Sequence, residues 1–341
     1  MDLVLIPAYE PDKELIALTG RLVSEGFAVL VVDDGSGEKY ADIFHEVEKN
    51  ATVLTLAKNR GKGAALKTGM RYIRENIPEC EHFITCDADG QHRVEDVLRV
   101  RERLHAGDHF VLTVRHAKTK VPLRSKVGNC LSRYVYTLLA NRYLSDNQSG
   151  LRGFSRIHID WLIAVEKDNY DYEMNVLYYA SKKNIRISTI PIEAIYIGNN
   201  ESSHFNPIKD TVRIYKSLFW LARGTFIAFA LSELHVLLVS IFLGYYRLEI
   251  TLPSVAALSF LTQFLLNRYL CFRHTPCYDF LPSMIYTIIS YFLYTMGCLL
   301  MMYATNGEMP LWATFNLVYL FFVPLRYLLH KLLAIATTTR E

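Results

Sequence analysis

Charge of one sign is what this chain most plainly lacks. Against 34 Asp and Glu stand 37 Lys and Arg in 341 residues, a net charge of +3. Polynucleotide binding needs a pronounced basic surface, so this balance gives no ground for a nucleic-acid partner. Cysteine is sparse as well. The six, Cys80, Cys86, Cys130, Cys271, Cys277 and Cys298, show no CxxC spacing and read as reduced packing residues, not as a zinc site or a disulfide frame. The eleven histidines form no cluster along the chain. Neither GxGxxG nor a P-loop occurs, which argues against a nicotinamide-dependent Rossmann enzyme. Internal repeats and low-complexity tracts are missing. The first residues have no basic n-region, and their apolar run is too short for a signal sequence, so the N-terminal body is expected in the cytosol.

What is there begins with short apolar runs alternating with amphipathic stretches. Leu3 to Ile6, Phe27 to Val32, Val53 to Leu56, Phe83 to Cys86 and Phe110 to Val114 read as strands. Between the first two, Asp12 to Glu25 reads as a helix, with Leu15, Ile16, Leu18, Leu22 and Val23 at helical spacing and Gly26 as its stop; Ala64 to Asn76 reads as another. Strands separated by helices predict an α/β domain with a mainly parallel sheet. Several strands end in polar residues: Pro7-Ala8-Tyr9-Glu10, Asp33-Asp34-Gly35-Ser36 and Asp87-Ala88-Asp89-Gly90-Gln91-His92.

The last of these is the most informative. Carboxylates at i and i+2 share one face of a strand. If the strand ends there and turns at Gly90, Asp87 and Asp89 converge at the sheet's C-terminal edge, where open α/β sheets bind ligands. Hard oxygen ligands select Mg²⁺ or Mn²⁺, ions that complete their shell with phosphate oxygens, so the pair points to a nucleotide-diphosphate substrate. A plain strand-end turn accounts for the pattern equally. Turn chemistry is likewise the bland reading of Asp33 and Asp34. Asn59-Arg60-Gly61-Lys62-Gly63 precedes a helix and can bring backbone N–H groups and a cation to phosphate; Lys62 also reads as a solvated loop cation.

The second half has a different composition. Apolar stretches run over about Gly224 to Tyr245, Ile250 to Phe272, Phe280 to Ala304 and Leu311 to Leu333, each near the roughly 20 residues that span a bilayer. Four such helices with almost no charged face predict an all-α transmembrane module over 224–334, with Glu233, Gln263 and Asn267 facing the bundle interior. Arg268 at the end of the second span and Arg273 just after it mark the connection to the third, and Arg326, Lys331 and Arg340 lie near the C-terminus. Positive-inside counting therefore puts both termini in the cytoplasm. Residues 207–223 mix Lys209, Arg213, Lys216 and Arg223 with Val212, Tyr215, Phe219 and Trp220, which predicts an amphipathic helix lying on anionic headgroups. The expected organisation is a cytosolic α/β domain over 1–206, this interfacial helix, and the span module.

In their order, Ile6-Pro7-Ala8-Tyr9-Glu10, Asp33-Asp34-Gly35-Ser36, the 59–63 loop, Asp87 to His92 and Asp146-Asn147-Gln148-Ser149-Gly150-Leu151-Arg152-Gly153-Phe154 resemble the family-2 glycosyltransferases that include dolichol-phosphate mannose synthase and bacterial undecaprenyl-phosphate sugar transferases. The resemblance covers about residues 1–219. Phe264-Leu265-Leu266-Asn267-Arg268-Tyr269, with the span count, resembles the small four-span GtrA-like module. The first resemblance implies a GT-A fold, a nucleotide-sugar donor and a divalent metal. It implies that Pro7, Tyr9, Glu10 and Asp34, with Asp33 nearby, line the base and ribose, and that Asp87, Asp89 and Gln91 hold Mg²⁺ or Mn²⁺ against the diphosphate.

Acceptor chemistry sharpens the expectation. A phosphate monoester has a second pKa of about 6, so a polyprenyl phosphate is already a nucleophilic anion and needs no base. It needs cations. Arg115, after the strand ending at Val114, and Arg124 beside Ser125 lie where the resemblance places acceptor-phosphate contacts; Arg133 and Arg152 are reserves. The expected activity is inverting transfer of a hexose from a UDP- or GDP-sugar to undecaprenyl or dolichyl phosphate at the cytoplasmic face of a prokaryotic plasma membrane. Homo-oligomers through the span module fit the same picture. Two alternatives stay open: direct transfer to a glycan or glycolipid, with Asp171 or Glu173 as base, and a flippase regulated by the α/β body.

Overall fold

Leu3, Val4, Leu5 and Ile6 are each at most 1% exposed, so the first strand is covered on both faces, as a central parallel strand must be. The structure, a computed structural model, describes residues 1–116, 142–193, 209–221 and 223, with single positions between 132 and 140 and between 288 and 318. The chain divides into two units, Met1–Tyr136 with Leu144–Leu218, and Thr137–Tyr143 with Phe219–Glu341.

In the first unit, β1 (Asp2–Ala8), α1 (Glu14–Ser24), β2 (Ala28–Asp33), α2 (Ala41–Glu48), β3 (Thr52–Thr55), α3 (Lys62–Asn76), β4 (His82–Thr85), α4 (Val94–His105) and β5 (Phe110–His116) alternate as expected. They are followed by β6 (Arg152–Ser155), α5 (Ile159–Ala164), α6 (Asp171–Lys182) and β7 (Ser188–Glu193). The sheet order is β3-β2-β1-β4-β6-β5-β7. Only β6 runs against the rest, pairing antiparallel with β4 and β5, while β5 and β7 pair in parallel. The mainly parallel sheet therefore forms as expected, and its single reversed strand falls in the stretch from Asp146 to Phe154.

Helices cover both faces. Leu15 and Leu22 of α1 and Val97, Val100 and Leu104 of α4 pack with Val4, Ile6, Val29 and Val31. On the other face α3 lies close enough that a Cβ on Gly69 would collide with Leu5. A further helix, residues 209–221, buries Asp210, Ile214, Ser217 and Leu218, one helical stripe, and the Ser217 hydroxyl is hydrogen-bonded to the Asn175 side chain of α6 at 3.1 and 3.2 Å.

In the second unit, Ile288, Phe292, Leu300 and Tyr303 are helical and each at least half exposed. The spans expected over 224–245 and 250–272 lie outside the described residues, and the other two are described only at scattered positions. Among the described residues no helix is long and apolar enough to cross a membrane. Arg124 and Ser125 also lie outside the described residues.

Candidate active site

Strand order reverses between β1 and β4: the chain runs outward through β2 and β3, then returns to the other side of β1. That switch point leaves a crevice at the C-terminal strand ends. There the structure has a cleft of about 730 Å³ lined by Pro7 at the end of β1, Tyr9 and Glu10 after it, Asp34 after β2, Lys62 at the start of α3, and Asp87 and Asp89 after β4. Glu10 sits at φ 47°, a left-handed conformation that a non-glycine residue adopts only when held, and its N–H donates to Ser36 Oγ at 2.8 Å.

The two aspartates at the end of β2 do different work. Asp33 Oδ1 accepts the Ser36 N–H at 2.9 Å and closes its own turn; it does not line the cleft. Asp34 accepts the N–H groups of Arg60 at 2.8 Å and Gly61 at 2.7 Å. Burial raises its pKa, while those two N–H groups act in the opposite direction. The loop before α3 thus has its anion built in. Sequence reasoning offers these N–H groups and glycines to phosphate; instead the N–H groups hold Asp34, and a Cβ on Gly61 or Gly63 would run into Asp168 and Asn169 or into Tyr172.

Lys62 is not a solvated loop cation. Its ammonium is 2.7 Å from Asp87 Oδ1 and 2.7 Å from Glu173 Oε2. Burial disfavours the charge, but the two carboxylates outweigh it and hold Lys62 protonated well above the usual lysine range. For Asp87, burial pushes the carboxyl up, and Lys62 with His92, whose Nε2 lies 3.4 Å from Oδ2, brings it well below the usual carboxylate range. Asp89 moves the other way: burial first, then the Asp87 charge, raise it, against the Gln91 N–H that its Oδ1 accepts at 3.1 Å. Both aspartates lie past the end of β4, Asp87 just before the turn at Ala88-Asp89 and Asp89 in it, so the chain beyond the strand and not strand alternation brings them to the cleft. A Cβ on Gly150 would strike the Asp87 carboxylate, so that glycine is required by close approach.

The acceptor-side residues are spread out. Arg115 turns its Nε and Nη2 to Asp146 at 2.7 and 3.2 Å. Arg152 is 2% exposed and donates to the Ser149 and Glu173 carbonyls, so it is a buried frame residue. Arg133 donates to the Ser145 carbonyl at 3.5 Å. Of the two candidate bases, Glu173 reaches the site through Lys62, whereas Asp171 is buried, its carboxyl raised by burial, and does not line the cleft. Gln91 is also absent from the lining. Sequence reasoning misses Tyr40, Asn169, Asp210 and Arg213, which do line it. Of these, Arg213 was legible only as a basic position of an amphipathic helix.

The glycosyl transferase family 2 model matches residues 3–159. An uncharacterised protein of Methanocaldococcus jannaschii is 30% identical over 220 residues, which cover 62% of this chain and 89% of that one. The chain belongs to glycosyl transferase family 2. Within that family, it is 29% identical over 215 residues to the UDP-N-acetylglucosamine–dolichyl-phosphate N-acetylglucosaminyltransferase of Methanococcus voltae, covering 57% of this chain and 85% of the relative. The family-2 domain is thus related to dolichyl-phosphate glycosyltransferases and undecaprenyl-phosphate sugar transferases. Glucosyl-3-phosphoglycerate synthase from Mycobacterium tuberculosis, in complex with phosphoglyceric acid, superposes with a TM-score of 0.50 at 15% identity, over 64% of this chain and 79% of that one. That likeness shows the fold, a GT-A-like α/β fold with a mainly parallel sheet. The protein is a glycosyltransferase.

Proposed function

We propose that this glycosyltransferase moves a sugar from a UDP- or GDP-sugar to a polyprenyl phosphate at a membrane surface. The observation that carries this reading is the pairing of Asp87 and Asp89 on one wall of the switch-point cleft, with Lys62 beside them. Their carboxylates are hard oxygens on the lining of one cleft, a donor set that fits Mg²⁺ or Mn²⁺. Asp87 and Asp89, with Gln91 next to them in the chain, would hold the ion, which supplies Lewis-acid neutralisation of the departing nucleoside diphosphate. The chain's own residues do the rest. Pro7, Tyr9, Glu10 and Asp34 bound the base and ribose end of the cleft, and Asp34 keeps the 59–63 loop in place by its two N–H bonds.

Because the acceptor phosphate is already anionic, no side chain has to remove a proton from it. Attack on the anomeric carbon opposite the departing diphosphate inverts configuration. The cations proposed to steer the acceptor are Arg115, Arg124 with Ser125, and Arg213, which lines the cleft from helix 209–221. Membrane attachment is supported by the exposed Val212 and Trp220 beside basic residues on that helix, and by the exposed apolar helical positions from Ile288 to Tyr303. Four spans over 224–334, a GtrA-like module and cytoplasmic termini belong to the same proposal.

The test is organic-phase extraction of labelled sugar after incubating the full chain with undecaprenyl or dolichyl phosphate, Mg²⁺ or Mn²⁺, and each labelled UDP- or GDP-sugar in turn. Ion-dependent label in the lipid phase from one donor is the expected result. Asp89→Asn should lower it by about a hundredfold or more while the thermal midpoint stays put. Label found only in a glycan or glycolipid acceptor, and abolished by Glu173→Gln, would replace the polyprenyl reading with direct transfer.

A further inference from the structure

At the end of the sheet opposite the cleft, three residues far apart in sequence meet. Asp2 opens β1 and His82 opens β4, and the two are register partners on adjacent parallel strands. His105 closes α4, which runs back across the sheet. His82 Nδ1 lies 3.3 Å from Asp2 Oδ1, and His105 Nε2 lies 3.1 Å from the same oxygen and 2.9 Å from Oδ2. The imidazole rings are 5.2 Å apart. One donor atom from each residue fits within 4.8 Å of the other two. The site is remote from Asp87 and Asp89, since β1 alone separates the two sheet ends by roughly 20 Å.

We propose that Asp2, His82 and His105 form a transition-metal site, filled by Zn²⁺ or a similar borderline divalent ion, that clamps β1, β4 and α4 together. Three arguments support it. Zinc bonds of about 2.0–2.1 Å in a tetrahedron place neighbouring ligand atoms roughly 3.3 Å apart, and both Asp–His separations match that edge. Two imidazoles and one carboxylate form a borderline donor set that favours Zn²⁺ over Mg²⁺, unlike the all-oxygen pair in the cleft. The strand pairing and the helix end are fixed by the apolar core, so the donors are held together before any ion arrives, and the exposed His105 leaves a side open to water as a fourth ligand.

The experiment uses the full chain, purified without a polyhistidine tag, carrying Asp89→Asn so that the cleft pair does not contribute. Calorimetric titration with Zn²⁺ should give one ion per chain at micromolar affinity, and Co²⁺ should give the intense visible bands of a tetrahedral site. His105→Ala, at an exposed position where folding is not at stake, should weaken Zn²⁺ binding by about tenfold or more. In the Asp89→Asn chain, His105→Ala should remove the Zn²⁺-dependent rise in thermal midpoint, and in the chain with Asp89 intact it should leave sugar transfer unchanged. No Zn²⁺ binding by the Asp89→Asn chain, or binding indifferent to His105→Ala and to Asp2→Ala, would overturn the proposal and leave two Asp–His hydrogen bonds.

Discussion

Lys62 illustrates how one side chain can carry both stability and chemistry. Its ammonium stands between Asp87 and Glu173, two carboxylates that would otherwise face each other across a largely buried space. Removing one partner from a buried ion pair costs about 3–5 kcal/mol, and the partial exposure of Asp87 lowers the expectation for Lys62→Ala to about 2 kcal/mol. Urea denaturation should show that loss together with weakened donor binding; an unchanged midpoint would mean that the ammonium is not what neutralises the pair. Asp34 makes a second case. An amide in its place keeps one acceptor but turns an NH₂ toward a buried N–H, so Asp34→Asn should cost about 1–3 kcal/mol and raise the donor KM. Neither role was legible in the sequence, because both depend on partners 25 or more residues away: Glu173 for Lys62, and the N–H groups of Arg60 and Gly61 for Asp34.

At the scale of elements, the start of α3 is set by backbone conformation. Gly61 is at φ 100°, and a Cβ there would meet the Asp168 carbonyl and the Asn169 side chain. Gly61→Ala should therefore cost about 1–3 kcal/mol and shift the loop that lines the cleft, which a thermal melt and donor titration would both register. The tie between β5 and the loop before β6 is an ion pair, Arg115 with Asp146. Burial pushes the Asp146 carboxyl up, but Arg115 and the N–H groups of Gln148 and Arg115 bring it down overall. A carboxyl whose folded pKa lies below its unfolded value stabilises the fold above the unfolded value of about 3.9, and that contribution disappears as pH falls through the folded pKa. Asp146→Asn should be less stable at neutral pH and lose less on acidification, as denaturation at pH 7 and pH 3 would reveal.

For the whole molecule, the expected partition is a family-2 domain that works on a lipid. Lys209 and Lys216 lie on exposed positions of helix 209–221, on the side away from the buried stripe. If that helix rests on anionic headgroups, each lysine contributes about 1 kcal/mol to membrane attraction. The Lys209→Gln, Lys216→Gln chain should then lose turnover with long-chain polyprenyl phosphate in anionic vesicles and keep it with a short, water-soluble analogue. Equal loss on both acceptors would place the lysines in acceptor binding instead.

The alternation of apolar runs and amphipathic stretches determined the α/β class and most element positions, because burial of a strand on two faces and of a helix on one leaves a period in the sequence. The paired Asp87 and Asp89 stood out for a similar local reason: two carboxylates at close spacing beyond an apolar run suit a divalent ion, while a plain turn fits the same pattern. Tertiary structure alone decided what those residues touch. The segment that leads into the reversed strand β6 brings Gly150 against Asp87 and Arg152 to the Glu173 carbonyl, helix 209–221 brings Arg213 to the cleft, and parallel pairing of β1 with β4 joins Asp2 to His82. Such meetings depend on chain reversals between distant segments, and no local period or spacing records where a chain will return.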